Sequence, residues 1–329
     1  MKINTPKFWF ENTSIIQIIL SPLSLIWLLA SWLIKKIKRE ERFSVPIICV
    51  GNLIAGGGGK TPLTLKLASL FLKKGYKTHI IKKQYKSKNK NQVVLVNKNS
   101  DPSIVGDEAI LAAYTTTTWL VKNRIKGIRQ AIKLGAELII LDDGYQDFSV
   151  SKDYNILVVK DKQHFGNKSI IPAGPLRENI KSGLQRTDHI FYYGTKDTII
   201  PVLLKINKPI TYVDIKYPKT QSLKKIKNKN VLAFAGIAHP ENFFDSITYY
   251  GFCLRKKISY PDHYDYSERD IEKIIDLSLD LNLSVITTEK DFIKIPKKLR
   301  PNIFYIPFDI QFNSANFYKS FISKVSKID

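Results

Sequence analysis

Residues 45–61 read VPIICVGNLIAGGGGKT and contain the parts of a phosphate-binding site in their usual order. An apolar run from Ile47 to Val50 predicts a buried strand, and Pro46 stands at its start, where a strand accepts proline. The glycines that follow let backbone N–H groups approach phosphate oxygens. A helical pattern from Leu63 to Leu72 then adds a favourable dipole at its N-terminus. The segment therefore predicts a nucleotide-binding loop between a strand and a helix.

The candidate nucleotide-binding residues are consecutive: Ile54, Ala55, Gly56, Gly57, Gly58, Gly59, Lys60 and Thr61. Lys60 would bring a point charge to the phosphates, and the Thr61 hydroxyl can hold Mg²⁺. The strict pattern G-x-x-x-x-G-K-[ST] fails at one position, because its first glycine would fall on Ile54. A flexible glycine hinge is the alternative, but it does not explain a lysine and a threonine at the start of a helix.

The composition limits the class of protein. A chain of 329 residues exceeds what one core usually serves, so two domains are expected. Cys49 and Cys253 both stand in apolar runs without metal-ligand spacing, which predicts reduced core residues of a cytosolic protein. The net charge of +23 predicts an anionic partner: nucleic acid, acidic lipid or a phosphorylated substrate. Because Lys, Ile and Asn are all abundant, a compositional bias of the genome is an alternative source of part of this charge.

Residues 15–34 carry no charge, and four basic residues follow within 35–39. A helix of this length spans roughly 30 Å, about one hydrocarbon thickness. Trp27 and Trp32 suit a membrane interface, and the basic residues place that end of the helix in the cytoplasm. A membrane helix is expected, either spanning or interfacial, and Pro22 with several serines favours the shallow position. A buried core helix and a secretory signal are the alternatives, although no small-x-small cleavage site follows.

Strands and helices alternate through residues 41–216, which predicts an α/β, P-loop NTPase-like domain with a mainly parallel sheet. Its further predicted strands are 77–81, 93–96, 115–121, 137–141, 154–159, 189–193 and 209–213, and its further helices are 106–114 and 123–134. A linker rich in Pro, Lys and Asn, 217–230, opens a second, smaller α/β domain at 217–329. That domain has predicted strands 231–235, 253–259, 284–288 and 303–308, and helices 241–250 and 267–281. Residues 1–40 are the predicted membrane-associated segment.

Two acidic pairs are candidates for the chemistry. Residues 138–147, LIILDDGYQD, form an apolar strand that delivers Asp142 and Asp143, and behind a P-loop this has the form of a Walker B site. Asp107 and Glu108 stand at a predicted helix start, where acids commonly stabilise the helix. Phosphoryl transfer to a hydroxyl needs a carboxylate to accept the proton, so Asp107 is equally a candidate base.

Three later stretches carry weaker signals. The loop IIPAGPLREN, 170–179, presents Arg177 and Glu178, which could hold phosphate or metal or simply form a surface turn. His263 stands between two aspartates in PDHYDYS, 261–267, although a lone histidine is more often structural. TTEKD, 287–291, closes a predicted strand with mixed charge and could be a solvated strand end.

In this order, GNLIAGGGGKTP, VGDE, LDDGYQ, PAGPLRE, AFAGIAHPENFF, PDHYDYS and TTEKD resemble the tetraacyldisaccharide 4'-kinase family, the membrane-bound lipid A 4'-kinases of Gram-negative bacteria. The resemblance covers nearly the whole chain. It implies transfer of the ATP γ-phosphate to the 4'-hydroxyl of an acylated disaccharide 1-phosphate, with ATP and Mg²⁺ as cofactors. It also implies an anionic lipid substrate and a place on the cytoplasmic face of the inner membrane. Neither nucleic acid nor an obligate protein partner is expected.

The resemblance also implies roles for single residues. Lys60 would contact the β- and γ-phosphates, Asp107 would be the base, and His263 would orient or assist Asp107 from the second domain. The metal and phosphate environment would include Thr61, Asp142, Asp143, Gln146 and Glu178. The family's Ser-Arg-Gly-Tyr-Gly turn is replaced here by KKQYK at 82–86. No role is carried over to that loop, although its lysines could replace the arginine as phosphate partners.

A membrane-associated switch ATPase of the partitioning or division-site type is the main alternative. Such proteins share a GGxGKT loop, but they usually carry a lysine early in it. The matching position here is Ala55, and no lysine lies between Gly51 and Gly59. A nucleic-acid-binding ATPase would rest on the net charge alone.

Overall fold

The computed structural model describes residues 6–11, 14–37, 39–56, 59–84, 92–216, 218, 221–226 and 228–325. Gly57 and Gly58 of the nucleotide loop lie outside the described residues, as do Tyr85 and Lys86 of the divergent KKQYK stretch.

The main sheet has eight strands, which confirms the predicted α/β class. They are β1 (Ile47–Gly51), β2 (Thr78–Lys83), β3 (Val93–Val96), β4 (Thr118–Val121), β5 (Leu138–Asp142), β6 (Tyr154–Lys160), β7 (His189–Tyr193) and β8 (Ile210–Tyr212). The spatial order is β3-β4-β2-β5-β1-β6-β7-β8, and β3 alone among these strands runs antiparallel to its neighbour. Strand β1 is fully buried between β5 and β6, because its apolar residues are covered on both faces of the sheet.

The described α-helices surround the two sheets of the chain. They are α1 (Ile15–Ile37), α2 (Lys60–Lys73), α3 (Pro102–Val105), α4 (Asp107–Thr115), α5 (Arg124–Lys133), α6 (Ile180–Gln185), α7 (Pro201–Leu204), α8 (Gln221–Lys224), α9 (Pro240–Ser246), α10 (Glu268–Asp280), α11 (Glu289–Lys294) and α12 (Ser314–Val325). Short 3₁₀ helices lie at Lys7–Phe10, Lys196–Thr198, Ile247–Tyr250 and Lys297–Asn302. The predicted capping box of α10 is present, with Ser267 and Asp270 bonding each other's backbone N–H groups.

The second sheet is smaller and entirely parallel. After the short strand β9 (Asp214–Lys216), it consists of β10 (Asn230–Ala235), β11 (Cys253–Ser259), β12 (Ser284–Thr288) and β13 (Ile303–Ile306), in the order β11-β10-β12-β13. Strand β11 is an edge strand with several exposed residues, and Cys253 at its start is exposed. The prediction of a core position is therefore wrong for Cys253, whereas Cys49 in β1 is buried as expected.

The C-terminal segment returns to the main sheet, which the sequence did not predict. Strand β14 (Asp309–Gln311) pairs antiparallel with β9, and α12 then packs on the main sheet. The fully buried rings of Phe317 and Phe321 lie 6.2 and 4.9 Å from the ring of Phe71 in α2. The predicted domain boundaries stay predictions, but residues 309–325 belong to the packing of the large sheet.

Helix α1 is long and apolar enough to cross a membrane, and only Ser24 within it is buried. The alternative of a buried core helix is therefore wrong. The Ser24 hydroxyl donates to the Ile170 carbonyl at 2.7 Å and accepts from the Ala173 N–H at 3.3 Å. The Trp27 indole N–H lies 3.2 Å from the Arg177 carbonyl. Helix α1 thus docks by polar contacts on the loop that the sequence singled out at 170–179.

Candidate active site

The glycine loop lies at the carboxyl end of β1, between the carboxyl ends of β5 and β6, where parallel sheets bind ligands. Gly59 adopts φ +78°, which favours glycine, and helix α2 begins at the next residue. The Tyr193 hydroxyl donates to the Gly59 carbonyl at 2.9 Å. A methyl group on Gly59 would also lie 3.0 Å from the Tyr193 ring. The end of the loop is therefore fixed both by its backbone conformation and by the side chain from β7.

Lys60 is buried and turned back over its own loop. Its Nζ atom donates to Asn52 Oδ1 at 3.1 Å and to the Gly56 carbonyl at 3.3 Å, and it lies 3.6 Å from Asp143 Oδ1. Burial lowers the pKa of Lys60, and the Asp143 carboxylate partly opposes that shift. The ammonium group thus stands over the loop among acceptors with which phosphate oxygens would compete.

Four side chains meet beside the start of α2, and we call them the Thr61 cluster: Thr61, Lys82, Glu108 and Asp142. The Thr61 hydroxyl oxygen lies 3.2 Å from Glu108 Oε2 and 3.2 Å from Asp142 Oδ2. Lys82 Nζ donates to Asp142 and lies 3.4 Å from Glu108 Oε2. Burial opposes the charge on Lys82, but the two carboxylates outweigh it and raise the pKa of this lysine. Burial likewise opposes the charge on Glu108, while Lys82 and Lys290 together lower the pKa of this carboxyl to about 2.

The position of Lys82 corrects a predicted boundary. Strand β2 extends to Lys83, two residues beyond its predicted end, and its register places Lys82 opposite Asp142 of β5. Residues 82–83 are therefore strand, not loop. The lysine side chain points at the candidate metal ligand because the two strands are direct neighbours in the sheet.

The four predicted metal ligands do not meet in one group. Thr61 and Asp142 are in contact, but Asp143 takes two hydrogen bonds from Arg177, at 2.9 and 3.2 Å. Glu178 pairs with Arg186 and accepts from Gln146 Nε2 at 2.9 Å. Among the residues that the structure describes, no three His, Cys, Asp or Glu side chains form a group able to hold a metal ion.

The turn after β5 is held by an arginine that the sequence did not single out. Arg124 is almost fully buried, and its guanidinium donates to the Asp142 and Asp143 carbonyls at 3.2 and 2.8 Å. It also pairs with Asp147 at 2.8 Å. Asp143 itself adopts φ +54°, a conformation uncommon for a residue with a side chain. The arginine thus stabilises the strained turn that carries both candidate carboxylates.

A second group, the Asp107 cluster, consists of Asp107, His263 and Lys290. Asp107 opens α4 beside the main sheet, His263 lies after β11, and Lys290 lies in α11 after β12. His263 Nδ1 is 3.3 Å and Lys290 Nζ is 3.8 Å from Asp107 Oδ2. Burial opposes ionisation of Asp107, but the hydrogen bond from His263 and the charge of Lys290 hold its pKa well below the usual range. The structure therefore brings Asp107 and His263 together, while their catalytic roles stay predictions.

Glu108 joins the two clusters. Its Oε2 atom faces Thr61 and Lys82, and its Oε1 atom lies 3.4 Å from Lys290 Nζ. Lys290 comes from TTEKD, which was expected to be a solvated strand end. That expectation is wrong, because Thr288 caps α11 and the following Asp291 is completely buried. The charges in this motif mark helix capping and an approach to α4, which the sequence could have suggested through the pattern T-x-x-D.

Three comparisons with known proteins agree. The family model of LpxK, "Tetraacyldisaccharide-1-P 4'-kinase", matches residues 16–326. The tetraacyldisaccharide 4'-kinase of Rhodospirillum rubrum is 32% identical over 98% of both chains. That of Gluconobacter oxydans is 33% identical over 91% of this chain and 90% of its own. The crystal structure of "apo" form LpxK from Aquifex aeolicus in complex with ATP has a TM-score of 0.77 at 26% identity, covering 94% of this chain and 99% of that one.

These matches cover the helix α1, both sheets and both clusters. They confirm the predicted resemblance, the kinase class of the protein and ATP as its phosphate donor. The chain belongs to the tetraacyldisaccharide-1-P 4'-kinase family.

Proposed function

We propose that this protein transfers the γ-phosphate of ATP to the 4'-hydroxyl of a tetraacyldisaccharide 1-phosphate, which gives the 1,4'-bisphosphate precursor of lipid A. The observation that carries the proposal is the adjacency of the two clusters through Glu108. A phosphate-binding loop and a candidate base thereby face one another, as transfer from a triphosphate to an alcohol requires.

The nucleotide would bind with its phosphates on the loop 54–61. Lys60 would exchange its bonds to Asn52 and Gly56 for phosphate oxygens, since an ammonium group binds phosphate as a point charge. The dipole of α2, which begins at Lys60, also favours negative charge at this end. These residues orient the nucleotide and neutralise the charge of the transferring group.

Mg²⁺ fits the Thr61 cluster by its chemistry, because a hydroxyl and two carboxylates are the oxygen ligands that this ion prefers. Lys82 donates to the same carboxylate oxygens, so the structure itself shows that they attract a cation. Thr61, Asp142 and Glu108 would hold the ion, and Asp143 and Glu178 stay predicted contributors to its surroundings. When bound, Mg²⁺ would neutralise charge on the β- and γ-phosphates.

Asp107 would act as the base. The 4'-oxygen forms a bond to the γ-phosphorus as the bond from that phosphorus to the bridging oxygen breaks, and ADP leaves. The hydroxyl proton passes to Asp107, whose ionised form is favoured by His263 and Lys290. His263, presented by the small sheet, would orient this carboxylate.

Helix α1 would hold the enzyme on the inner membrane, with its substrate, and its basic end would lie on the cytoplasmic side where ATP is found. The lipid surface and an anionic acylated disaccharide are thus the proposed partners. Removal of residues 1–40 should release the protein from membranes into the soluble fraction.

The test of the proposed function is an incubation of purified protein with γ-labelled ATP and the acylated disaccharide 1-phosphate in mixed micelles. The expected result is label in the lipid, at the 4'-position. Label found only as free phosphate would instead indicate a switch ATPase, and label transfer or ATP hydrolysis that depends on DNA would indicate a nucleic-acid-dependent enzyme.

The role of Asp107 is tested in the same assay with Asp107→Asn, which keeps the shape of the side chain and removes its charge. We expect a loss of about 10²- to 10⁴-fold in kcat with little change in ATP binding, the usual contribution of a general base. Glu241→Gln is the matched control, because Glu241 is an exposed carboxylate paired with Lys257 on the surface. Equal kcat values for Asp107→Asn and wild type would remove Asp107 from the role of base.

A further inference from the structure

Lys290 reaches from the small sheet to the main domain and ends between three acid–base groups. Its Nζ atom lies 3.2 Å from His263 Nε2, 3.4 Å from Glu108 Oε1 and 3.8 Å from Asp107 Oδ2. The side chain is only 21% exposed. A long cationic side chain buried at this point is costly unless its contacts compensate for the lost hydration.

We propose that Lys290 is a positioning residue, which fixes His263 in the tautomer that carries its hydrogen on Nδ1 and thereby keeps a donor aimed at Asp107. The argument begins with the donor inventory. An ammonium group can only donate, so a hydrogen bond between Lys290 and His263 Nε2 requires that Nε2 accept. The hydrogen of the neutral ring is then on Nδ1, which faces Asp107 Oδ2 at 3.3 Å.

The charges around the ring are consistent with this arrangement. Asp107 and Lys290 contact opposite nitrogens, and Asp262 Oδ2 lies 3.8 Å from Nε2, beyond hydrogen-bonding distance. The opposite tautomer would point a lone pair of Nδ1 at the Asp107 carboxylate and an N–H group at the Lys290 ammonium. Both contacts would be repulsive, so the lysine and the carboxylate select the same tautomer.

The backbone holds Lys290 and His263 in one hydrogen-bonded unit. Buried Asp291, next to Lys290, accepts from the Gly236 N–H at 2.9 Å and from the Thr288 hydroxyl at 2.7 Å. The Gly236 carbonyl in turn accepts from the His263 N–H at 3.0 Å, and His263 adopts φ +57°. The relative placement of the ammonium and the imidazole is therefore set by the fold of the small sheet.

This inference rests on the proposed roles of Asp107 and His263, and its experiment is separable from theirs. Lys290→Met keeps the length of the side chain and removes the donor, whereas Lys290→Arg keeps a group that only donates. Lys298→Met is the matched control, since Lys298 is an exposed lysine paired with Glu268. We expect Lys290→Met to lower kcat by roughly 10- to 100-fold, the usual cost of removing a partner that orients a functional side chain. The KM for ATP should change less than about two-fold, Lys290→Arg should recover part of the activity, and the control should match wild type.

A double-mutant cycle with His263→Ala separates action through His263 from direct action on the substrate. If Lys290 acts through the ring, Lys290→Met should cost less than about three-fold in protein that already carries His263→Ala. Costs that multiply would overturn the proposal and would indicate that Lys290 contacts the substrate itself. If Asp107→Asn had no effect while this coupling were found, the role of the base would fail and the pairing would stand.

The tautomer itself is measured by ¹⁵N NMR of histidine-labelled wild-type protein, with the His263 signals assigned from their loss in His263→Ala. The expected spectrum has a protonated Nδ1 and an unprotonated Nε2 for His263. A protonated Nε2 on a neutral ring would refute the proposal. This measurement needs no Lys290 variant, so it decides the question even if Lys290→Met fails to fold.

Discussion

Replacing Ser24 by alanine should loosen the contact between the membrane helix and the nucleotide-binding loop. Ser24 is the one buried residue of α1, and its hydroxyl makes two hydrogen bonds to the backbone of residues 170–173. The same loop continues to Pro175, whose carbonyl accepts from the Ala55 N–H at 2.7 Å. A change at Ser24 is therefore separated from the phosphate cradle by a single loop.

The expected magnitude follows from the groups left without partners. Ser24→Ala leaves the Ile170 carbonyl and the Ala173 N–H buried, and each unsatisfied group costs about 1–3 kcal/mol. Counting one such group, because some water will enter, the docked state of α1 loses about 1–3 kcal/mol. This shifts the equilibrium between docked and undocked helix roughly 5- to 150-fold.

The measurement is hydrogen exchange of residues 169–177 in micelles, together with the Kd of ATP. Ser21→Ala is the control on the same helix, because the Ser21 hydroxyl is exposed and donates to the Gln17 carbonyl within α1. We expect faster exchange and weaker ATP binding for Ser24→Ala, with Ser21→Ala like wild type. Identical exchange in the two variants would refute the reasoning that α1 is held on this loop by Ser24.

Two predictions concern stability. Burial lowers the pKa of His189 to about 4, so between pH 7 and 5 the unfolded chain gains a proton that the native state does not, and folding should lose about 2 kcal/mol of free energy. His189→Gln should remove this acid sensitivity in urea unfolding at the two pH values, whereas exposed His239→Gln should not. Phe317→Ala should lower the free energy of unfolding by about 3–5 kcal/mol, because Phe317 is fully buried beside the P-loop helix. Phe308→Ala, on a side chain that is 49% exposed, should cost much less, and equal urea midpoints would contradict the packing of α12.

The sequence predicted those parts of the fold whose signals are local. Strand β1, the glycine loop and α2 are contiguous, and their apolar period and glycines are visible in one stretch. The return of the chain to the main sheet had no such signal. Strand β9 has three exposed residues, and its partner β14 lies far along the chain, so neither strand shows an apolar pattern.

The candidate site shows the same division. Lys60, Thr61 and Asp142 were predicted because each stands at a fixed place in a known local pattern. Lys82 was not, because its role depends on the register of β2 against β5, which no single stretch encodes. Arg124 was missed for a similar reason, since it acts on the backbone of a turn that follows the next strand.

The alternation of charge in the site explains why its residues should not act independently. Lys82 and Lys290 stand on opposite sides of Glu108, and each also faces a second carboxylate, Asp142 or Asp107. Removing either lysine leaves Glu108 with less compensation, so the remaining lysine is attracted more strongly and its other contact weakens. Residues that share a partner in this way are coupled energetically. A change at the metal end of the site, such as the loss of Lys82, is therefore transmitted through Glu108 to Lys290 and to the carboxylate of the proposed base.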